Sequence, residues 1–363
     1  MLPKHKNTTL ICDMQFGSTG KGLIAGYLAK RDQPDVLVTS WSMNAGHTFI
    51  EKTILQEQKV YIHCMLANGI VSPKLRHVLL GPGSQIGLSK LKQEVTACSY
   101  LLRNSTVLIH ENATIIQDRH VQEEQQTMLG IGSTAKGCGS ALIEKVKRSP
   151  KSKIIAHDFK DTIKLMFADC GAKVQVVSKS VYNAVVDNAE RVQIEGAQGF
   201  SLGINNGFYP YTTSRECTPA QILSDCAIPI GMLDKVVGCM RTYPIRVANR
   251  HDAEGNMVGW SGPSYPDQNE ITFKDLNQDQ ELTTVTKLPR RIFEFSQKQS
   301  WEAMRQVRPD EVFLNFANYC NESTLKLITE IINLHSRTVG CGGVKFLGYG
   351  PAEGDVVDVS EKI

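Results

Sequence analysis

The chain has 363 residues, 41% apolar and 21% charged, with a formal net charge of +3. These are the proportions of an ordinary water-soluble globular protein, and a charge this small excludes nucleic-acid or membrane-surface binding by bulk attraction. Ten scattered cysteines, with no C-x-x-C pair and no zinc-like Cys/His spacing, predict reduced thiols and a cytoplasmic setting. The basic start, Met1 to Asn7, is followed by no apolar signal core, and no run is long enough to span a membrane.

Thr8–Cys12 reads as a buried strand, and Leu23–Lys30 as a helix. Between them lies Gly17-Ser18-Thr19-Gly20-Lys21-Gly22. A strand, a glycine-rich turn and a helix in that order form a phosphate cradle, with backbone N–H groups and the helix N-terminus facing the anion. The Gly17 to Lys21 spacing is shorter than in the Walker A pattern. A second strand, Val36–Thr39, leads into Asn44-Ala45-Gly46-His47-Thr48. Val78–Leu80, a turn at Gly81-Pro82-Gly83, a helical pattern over Leu88–Leu102 and a strand at Val107–Ile109 continue the alternation. The alternation predicts an α/β fold with a large, mainly parallel sheet flanked by helices.

Ile131–Ser140 is a second loop rich in glycine and hydroxyls, running into a helix over Ala141–Arg148. Lys145 and Lys147 there complement the helix dipole. Helices are expected at Phe159–Ala168 and Ser178–Asn188, then a strand at Val192–Ile194 ending in Glu195-Gly196-Ala197-Gln198-Gly199. Ligands gather at the carboxyl ends of parallel strands, which puts Gln198 on one rim with Gly17 and His47. Tyr209–Ser214 is a proline-pinned hydroxyl cluster before a helix at Thr218–Cys226. Val236–Val247 reads as one apolar strand, and the polar stretch 249–280 as a long, functional loop or insertion. Thr283–Arg291 follows, then a helix at Ser296–Val307, a strand at Glu311–Phe316, a helix at Glu322–Leu334 and a strand at Val344–Tyr349 before Gly350-Pro351. With no repeat and no clean boundary, residues 1–363 are expected to form one domain.

Five stretches in order resemble the adenylosuccinate synthetases over nearly the whole chain. They are Gln15-x-Gly17-x-x-Gly20-Lys21-Gly22, Asn44–Thr48, Glu195–Gly199, Tyr209-Pro210-Tyr211-x-Thr213-Ser214 and Pro289-Arg290-Arg291. That resemblance implies a single P-loop-NTPase-like α/β domain working as a homodimer. It also implies a reaction in which a nucleoside triphosphate, Mg²⁺ and L-aspartate aminate C6 of a purine nucleotide.

Four departures narrow the expectation. Ser18 stands where the family carries an aspartate that acts as general base and Mg²⁺ ligand, and Gly26 replaces a second aspartate. Asn315-Phe316-Ala317-Asn318 replaces a guanine-reading Lys-x-Asp, and Thr286-Lys287-Leu288 replaces Thr-Gly-Arg. This pattern resembles the phage-type branch, the 2-aminoadenylosuccinate synthetases, which convert dGMP toward the diaminopurine nucleotide. The expected substrates are dGMP, L-aspartate and ATP or dATP, in the host cytoplasm if the chain is phage-encoded. The alternatives are a GTP-dependent enzyme acting on IMP and an inactive nucleotide-binding regulator; retention of Lys21, His47, Gln198 and Arg290 opposes the latter.

The resemblance also assigns roles. Gly17, Thr19, Gly20, Lys21, Gly22, Gly46, His47 and Thr48 would hold the triphosphate, with Asn315, Asn318, Gly350 and Pro351 at its base. Ser18, Lys21, His47 and Gln198 would carry the chemistry, and Ser18 with the Gly46 carbonyl would reach Mg²⁺. Ser18, Asn44, Ser133, Thr134, Gln198, Thr213 and Leu288 would hold dGMP, joined by Arg148 from the other subunit. Arg290, Thr284 and Thr286 would bind aspartate, because a bidentate guanidinium suits a dicarboxylic amine donor. A serine at 18 leaves room beside purine C2, where guanine carries its amino group. Leu288 leaves no buried donor unpaired, at about 1–3 kcal/mol, when the ribose lacks a 2′-hydroxyl. Asp13 is expected to be a turn or strand-end residue rather than the missing base.

Overall fold

The computed structural model describes residues 7–52, 58–131, 133–283 and 287–360. Apolar runs form a central sheet: β1 (Thr8–Asp13), β2 (Val36–Thr39), β5 (His77–Leu80), β6 (Thr106–His110), β7 (Lys173–Val177), β8 (Val192–Glu195), β9 (Leu233–Arg241), β10 (Glu311–Asn315), β11 (Val344–Gly348) and β12 (Val356–Asp358). A hairpin of β3 (His47–Lys52) and β4 (Gln58–His63) lies apart from it. The sheet order is β12-β11-β10-β9-β1-β8-β2-β5-β6-β7, parallel throughout except for β12 on β11.

Strand period two splits the apolar residues between two layers. Ile11, Leu37, Val107 and Phe313 pack toward α1 (Lys21–Asp32), α2 (Leu88–Ala97) and α5 (Lys160–Met166). Leu10, Val38, Leu108 and Leu314 pack the other way, toward α6 (Lys179–Asp187), α7 (Pro219–Asp225), α8 (Gln297–Val307) and α9 (Glu322–Val339). Two further helices, α3 (Asp118–Thr127) and α4 (Cys138–Lys147), pair with each other beside the sheet. The register aligns Glu195 with Thr39, Asp13 with Cys239 and Arg241 with Asn315. The carboxyl ends of five central strands therefore share one rim.

Several expectations need correcting. The run 236–247 is not one strand: β9 stops at Arg241, and Ile245–Arg246 pairs antiparallel with Arg291–Phe293 in a small separate sheet. Pro244 lies in the break and has no N–H for a central ladder. The stretch 249–280 contains the paired strands Arg250–His251 and Met257–Gly259, and Glu270–Ile271 joins the small sheet. The 88–102 pattern is helical only to Ala97, and α9 continues past Leu334 until Gly340 ends it with φ 70. Helix α3 escaped notice because its sequence, DRHVQEEQQT, has almost no apolar stripe. All ten cysteines are free, and among the described residues no helix is long and apolar enough to cross a membrane.

Gly26 has a packing reason. A Cβ on it would sit 2.3 Å from the ring of Phe49, where α1 meets β3. Alanine favours a helix by about 1 kcal/mol over glycine, while overpacking a rigid core costs about 1–3 kcal/mol. Gly26→Ala is therefore expected to lower stability despite the helical gain, read as a reduced denaturant midpoint; an increased midpoint would contradict this contact.

Candidate active site

At the end of β1, the fully buried carboxylate of Asp13 gathers the phosphate loop around itself. Its oxygens accept from five donors: the N–H groups of Gln15 (2.8 Å), Gly17 (3.2 Å) and Thr19 (3.4 Å), the Thr19 hydroxyl (2.5 Å) and Lys21 Nζ (3.2 Å). Asp13 thus fastens the turn, as expected of a strand-end residue. Thr19 spends its hydroxyl there and faces inward, which corrects any side-chain role for it toward ligand. The Gln15 side chain clips the loop to β9, pairing with both the N–H and the carbonyl of Arg241. Ser18, at φ 55, is left exposed at the tip.

Lys21 Nζ also donates to the Gln198 carbonyl at 2.9 Å, and Gln198 Nε2 donates to Asn44 Oδ1 at 3.0 Å. Three sequence-distant loops are thereby tied at one point. Behind them, Glu195 accepts from the N–H groups of Asn68 (2.9 Å) and Gly69 (2.8 Å), and burial pushes its carboxyl up to about 7 against those bonds. His47 opens β3 and is 8% exposed. Burial, then the charge of Lys21 and the neighbouring His63, hold its imidazole well below the ordinary value. It is neutral at pH 7 and able to donate one N–H without bringing a resident charge.

The opposite wall carries a network missed at the sequence level. Arg241, wholly buried at the end of β9, donates to both Glu281 oxygens at 2.6 and 3.2 Å and lies 3.7 Å from the Phe316 ring centroid. It also reaches the Ser18 carbonyl at 3.4 Å. Glu281 accepts from the Tyr319 hydroxyl at 3.0 Å and lies 3.9 Å from Arg290 Nε. Burial raises the Glu281 carboxyl, but Arg241, with Tyr319 and Arg290, outweighs it and the net shift is downward. Burial brings Arg290 down to about 10. The sequence signal was available: an arginine closing an apolar strand must find a partner once buried. Elsewhere Glu124 accepts from the N–H groups of Gly137 (2.7 Å), Gly139 (2.5 Å) and Ser140 (3.2 Å), setting the start of α4.

These walls enclose a cavity of about 490 Å³, within the range of small-molecule sites. Gly17, Ser18, Gly20, Lys21, Gly22, Asn44, Gly46, His47, Thr48, Ser133, Thr134, Gln198, Thr213, Leu288 and Arg290 line it. Asn315 does not: its Nδ2 donates to the Thr19 carbonyl and its Oδ1 accepts from Phe316 N–H, so it forms the wall behind Gly20. Asn318 is exposed, and it lies outside the cavity with Gly350 and Pro351. Arg148 is exposed beyond the end of α4 and borders a separate depression with Lys145 and Arg215. Thr284 and Thr286 lie outside the described residues.

Removing the Asp13 carboxylate would strand Lys21 in a buried setting, and breaking a buried pair from one side costs about 3–5 kcal/mol. Asp13→Ala is expected to lose stability on that scale in urea unfolding and to lose triphosphate binding. Wild-type stability would refute the fastening role.

The adenylosuccinate synthetase family model matches residues 10–167 and 153–315. The N6-succino-2-amino-2'-deoxyadenylate synthase of Acinetobacter phage SH-Ab 15497 is 57% identical over 363 residues, covering 95% of this chain and 92% of the relative. The synthase of the same name from Salmonella phage PMBT28 is 51% identical, covering 97% of each chain. Among solved structures, the succinoaminodeoxyadenylate synthetase of cyanophage S-2L, bound to dGMP and dATP as an energy donor, superposes with a TM-score of 0.86. It is 42% identical and covers 98% of this chain and 96% of that one. With the family pattern matched from the phosphate loop to the end of β10, and a shared fold, the chain belongs to the adenylosuccinate synthetase family.

Proposed function

We propose that the chain is a C–N ligase joining L-aspartate to C6 of dGMP, driven by ATP or dATP, giving 2-amino-2'-deoxy-N6-succinyladenylate, the nucleoside diphosphate and phosphate. The purine 6-oxo group leaves poorly. Transfer of the γ-phosphoryl group to O6 makes it phosphate, which the aspartate amine then displaces from C6. Such transfer depends on positioning and charge neutralisation more than on covalent help from the protein.

Lys21 and the N–H groups of the Gly17–Gly22 turn neutralise the triphosphate. Neutral His47 donates to the oxygen where charge builds. Arg290 takes a carboxylate of aspartate. Five donors already converge on Asp13, so the N1 proton of the purine passes to a phosphate oxygen or water rather than to that residue. Mg²⁺ fits the donors present: the Ser18 hydroxyl and Gly46 carbonyl are uncharged oxygens, suited to an ion that keeps several waters and substrate phosphates. Among the described residues no trio of His, Cys, Asp or Glu offers a caged alternative. When bound, the ion would neutralise charge on the transferring phosphoryl group.

The observation that carries the choice of purine is Ser18. It is exposed at the loop tip beside the cavity, and the nearby Asp13 and Glu281 carboxylates are both consumed by internal donors. This leaves space for an exocyclic amino group and a hydroxyl to accept from it. Leu288, 37% exposed at the cavity edge, suits a sugar lacking a 2′-hydroxyl. Arg148 projects outside its own cavity, which supports a homodimer in which it meets the 5′-phosphate bound by the neighbouring subunit. No nucleic-acid or membrane partner is invoked, and the setting is the cytoplasm, that of the host if the chain is phage-encoded.

Purified protein supplied with aspartate should release phosphate with dGMP plus ATP or dATP; turnover restricted to IMP plus GTP would overturn the proposal. Ser18→Asp is expected to lower kcat/KM for dGMP at least about tenfold, or 1.4 kcal/mol; an unchanged value would remove the argument from space at C2. In Leu288→Arg, the preference for dGMP over GMP should shrink about fivefold, on the scale of one hydrogen bond. An unaltered ratio would show that Leu288 does not read the sugar.

A further inference from the structure

A catalytic histidine is usually held by a hydrogen bond from its second ring nitrogen, which fixes both orientation and tautomer. Among the described residues, neither ring nitrogen of His47 has such a partner within the protein. Its ring is held another way. The indole of Trp41 lies flat against it, with centroids 4.0 Å apart and planes 20° apart. Trp41 is itself immobilised: it is 2% exposed, and its Nε1 donates to the Glu195 carbonyl at 2.6 Å. That carbonyl belongs to the strand end leading directly into Gln198. One rigid ring therefore spans from the end of β8 to the first residue of β3.

From this geometry we infer that Trp41 is a positioning residue for the reaction, setting the plane of the His47 imidazole and so the direction of its N–H. The inference rests on the proposed role of His47. Flat contact between two aromatic rings restricts the rotation of the one that is less firmly held. In the neutral ground state the stack supplies orientation. As His47 donates toward the charged oxygen in the transition state, the stack keeps its N–H aimed along one line. Lys21 from α1 and His63 from β4 are the other titratable groups acting on His47, and both oppose positive charge there. Trp41 holds the ring without a carboxylate, which in this position would neutralise Lys21 and compete for it with the triphosphate. Trp41 does not line the cavity, so it acts on kcat through His47 rather than on nucleotide binding.

The test compares Trp41→Phe, which keeps a stackable ring but loses the N–H, with Trp41→Leu, which stays apolar but loses the aromatic face. Leu is expected to lower kcat about twentyfold with KM for dGMP within twofold, while Phe recovers to within about fivefold of wild type. A Leu variant with wild-type kcat, or a Phe variant as impaired as Leu, would overturn the inference. His47→Gln separates the two layers. If it abolishes turnover while Trp41→Leu keeps wild-type kcat, positioning fails and the role of His47 stands. If His47→Gln retains kcat, the role of His47 fails and the inference falls with it. A readout independent of variant folding is the NMR signal of the carbon-bound ring protons of His47 in the unmodified protein, which the indole ring current should displace upfield. Undisplaced resonances would refute the stack in solution.

Discussion

A carboxylate at the end of an inner strand is tolerable only when donors surround it, and the phosphate loop exists in its observed shape because Asp13 demands them. The chain answers by folding back so that three backbone N–H groups, a hydroxyl and an ammonium all reach one side chain. Charge-assisted bonds of this kind are stronger than neutral ones, and inside the protein they are little screened. The consequence reaches beyond the loop. Lys21 is drawn toward the Gln198 carbonyl, Gln198 toward Asn44, and Ser18 is pushed to the exposed tip. The groups that face the substrate are placed by a group that does not.

A second buried charge organises the far wall by the same logic. Arg241 cannot remain alone at the end of β9, so it takes Glu281, lies against Phe316 and touches the Ser18 carbonyl. Glu281 in turn sits near Arg290, the guanidinium proposed to take the amine donor. The phosphate loop and the Arg290 side of the cavity are thus mechanically continuous through two ion pairs. Because each member is paired and Arg241 is wholly buried, displacement of one is felt by the others. Gly26 and Ser18, both read first as missing aspartates, acquire different explanations. Gly26 is small because Phe49 packs directly over it, whereas Ser18 is small where the cavity opens.

The sequence alone disclosed the order of strands and helices, the phosphate turn, and the five stretches that resemble one family. These signals are local: apolar period, glycine spacing and short motifs survive without knowledge of partners. It also identified most of the residues that prove to line the cavity, because ligand-facing loops follow strand ends in a parallel sheet. Its errors were of one kind. The strand drawn through Pro244, the overlooked polar helix α3 and the hairpin that begins at His47 all depend on what lies opposite in space. Asn315 looked like a base-reading group because its type allows it; only its neighbours, Thr19 and Phe316, show that it is spent inside the wall.

What the amino-acid order determined by itself was the chemistry available: a lysine in a glycine turn, a neutral-capable histidine, an arginine for a carboxylate, and a serine where an acid would otherwise stand. What only the tertiary structure decided was which of those groups remain free to use. Asp13, Asn315, Thr19 and Glu281 are occupied by internal partners, and Trp41, unremarkable in the sequence, lies flat on His47. Availability depends on burial and on donors and acceptors supplied from more than a hundred residues away, as with Trp41 and the Glu195 carbonyl, and no local pattern encodes such pairings.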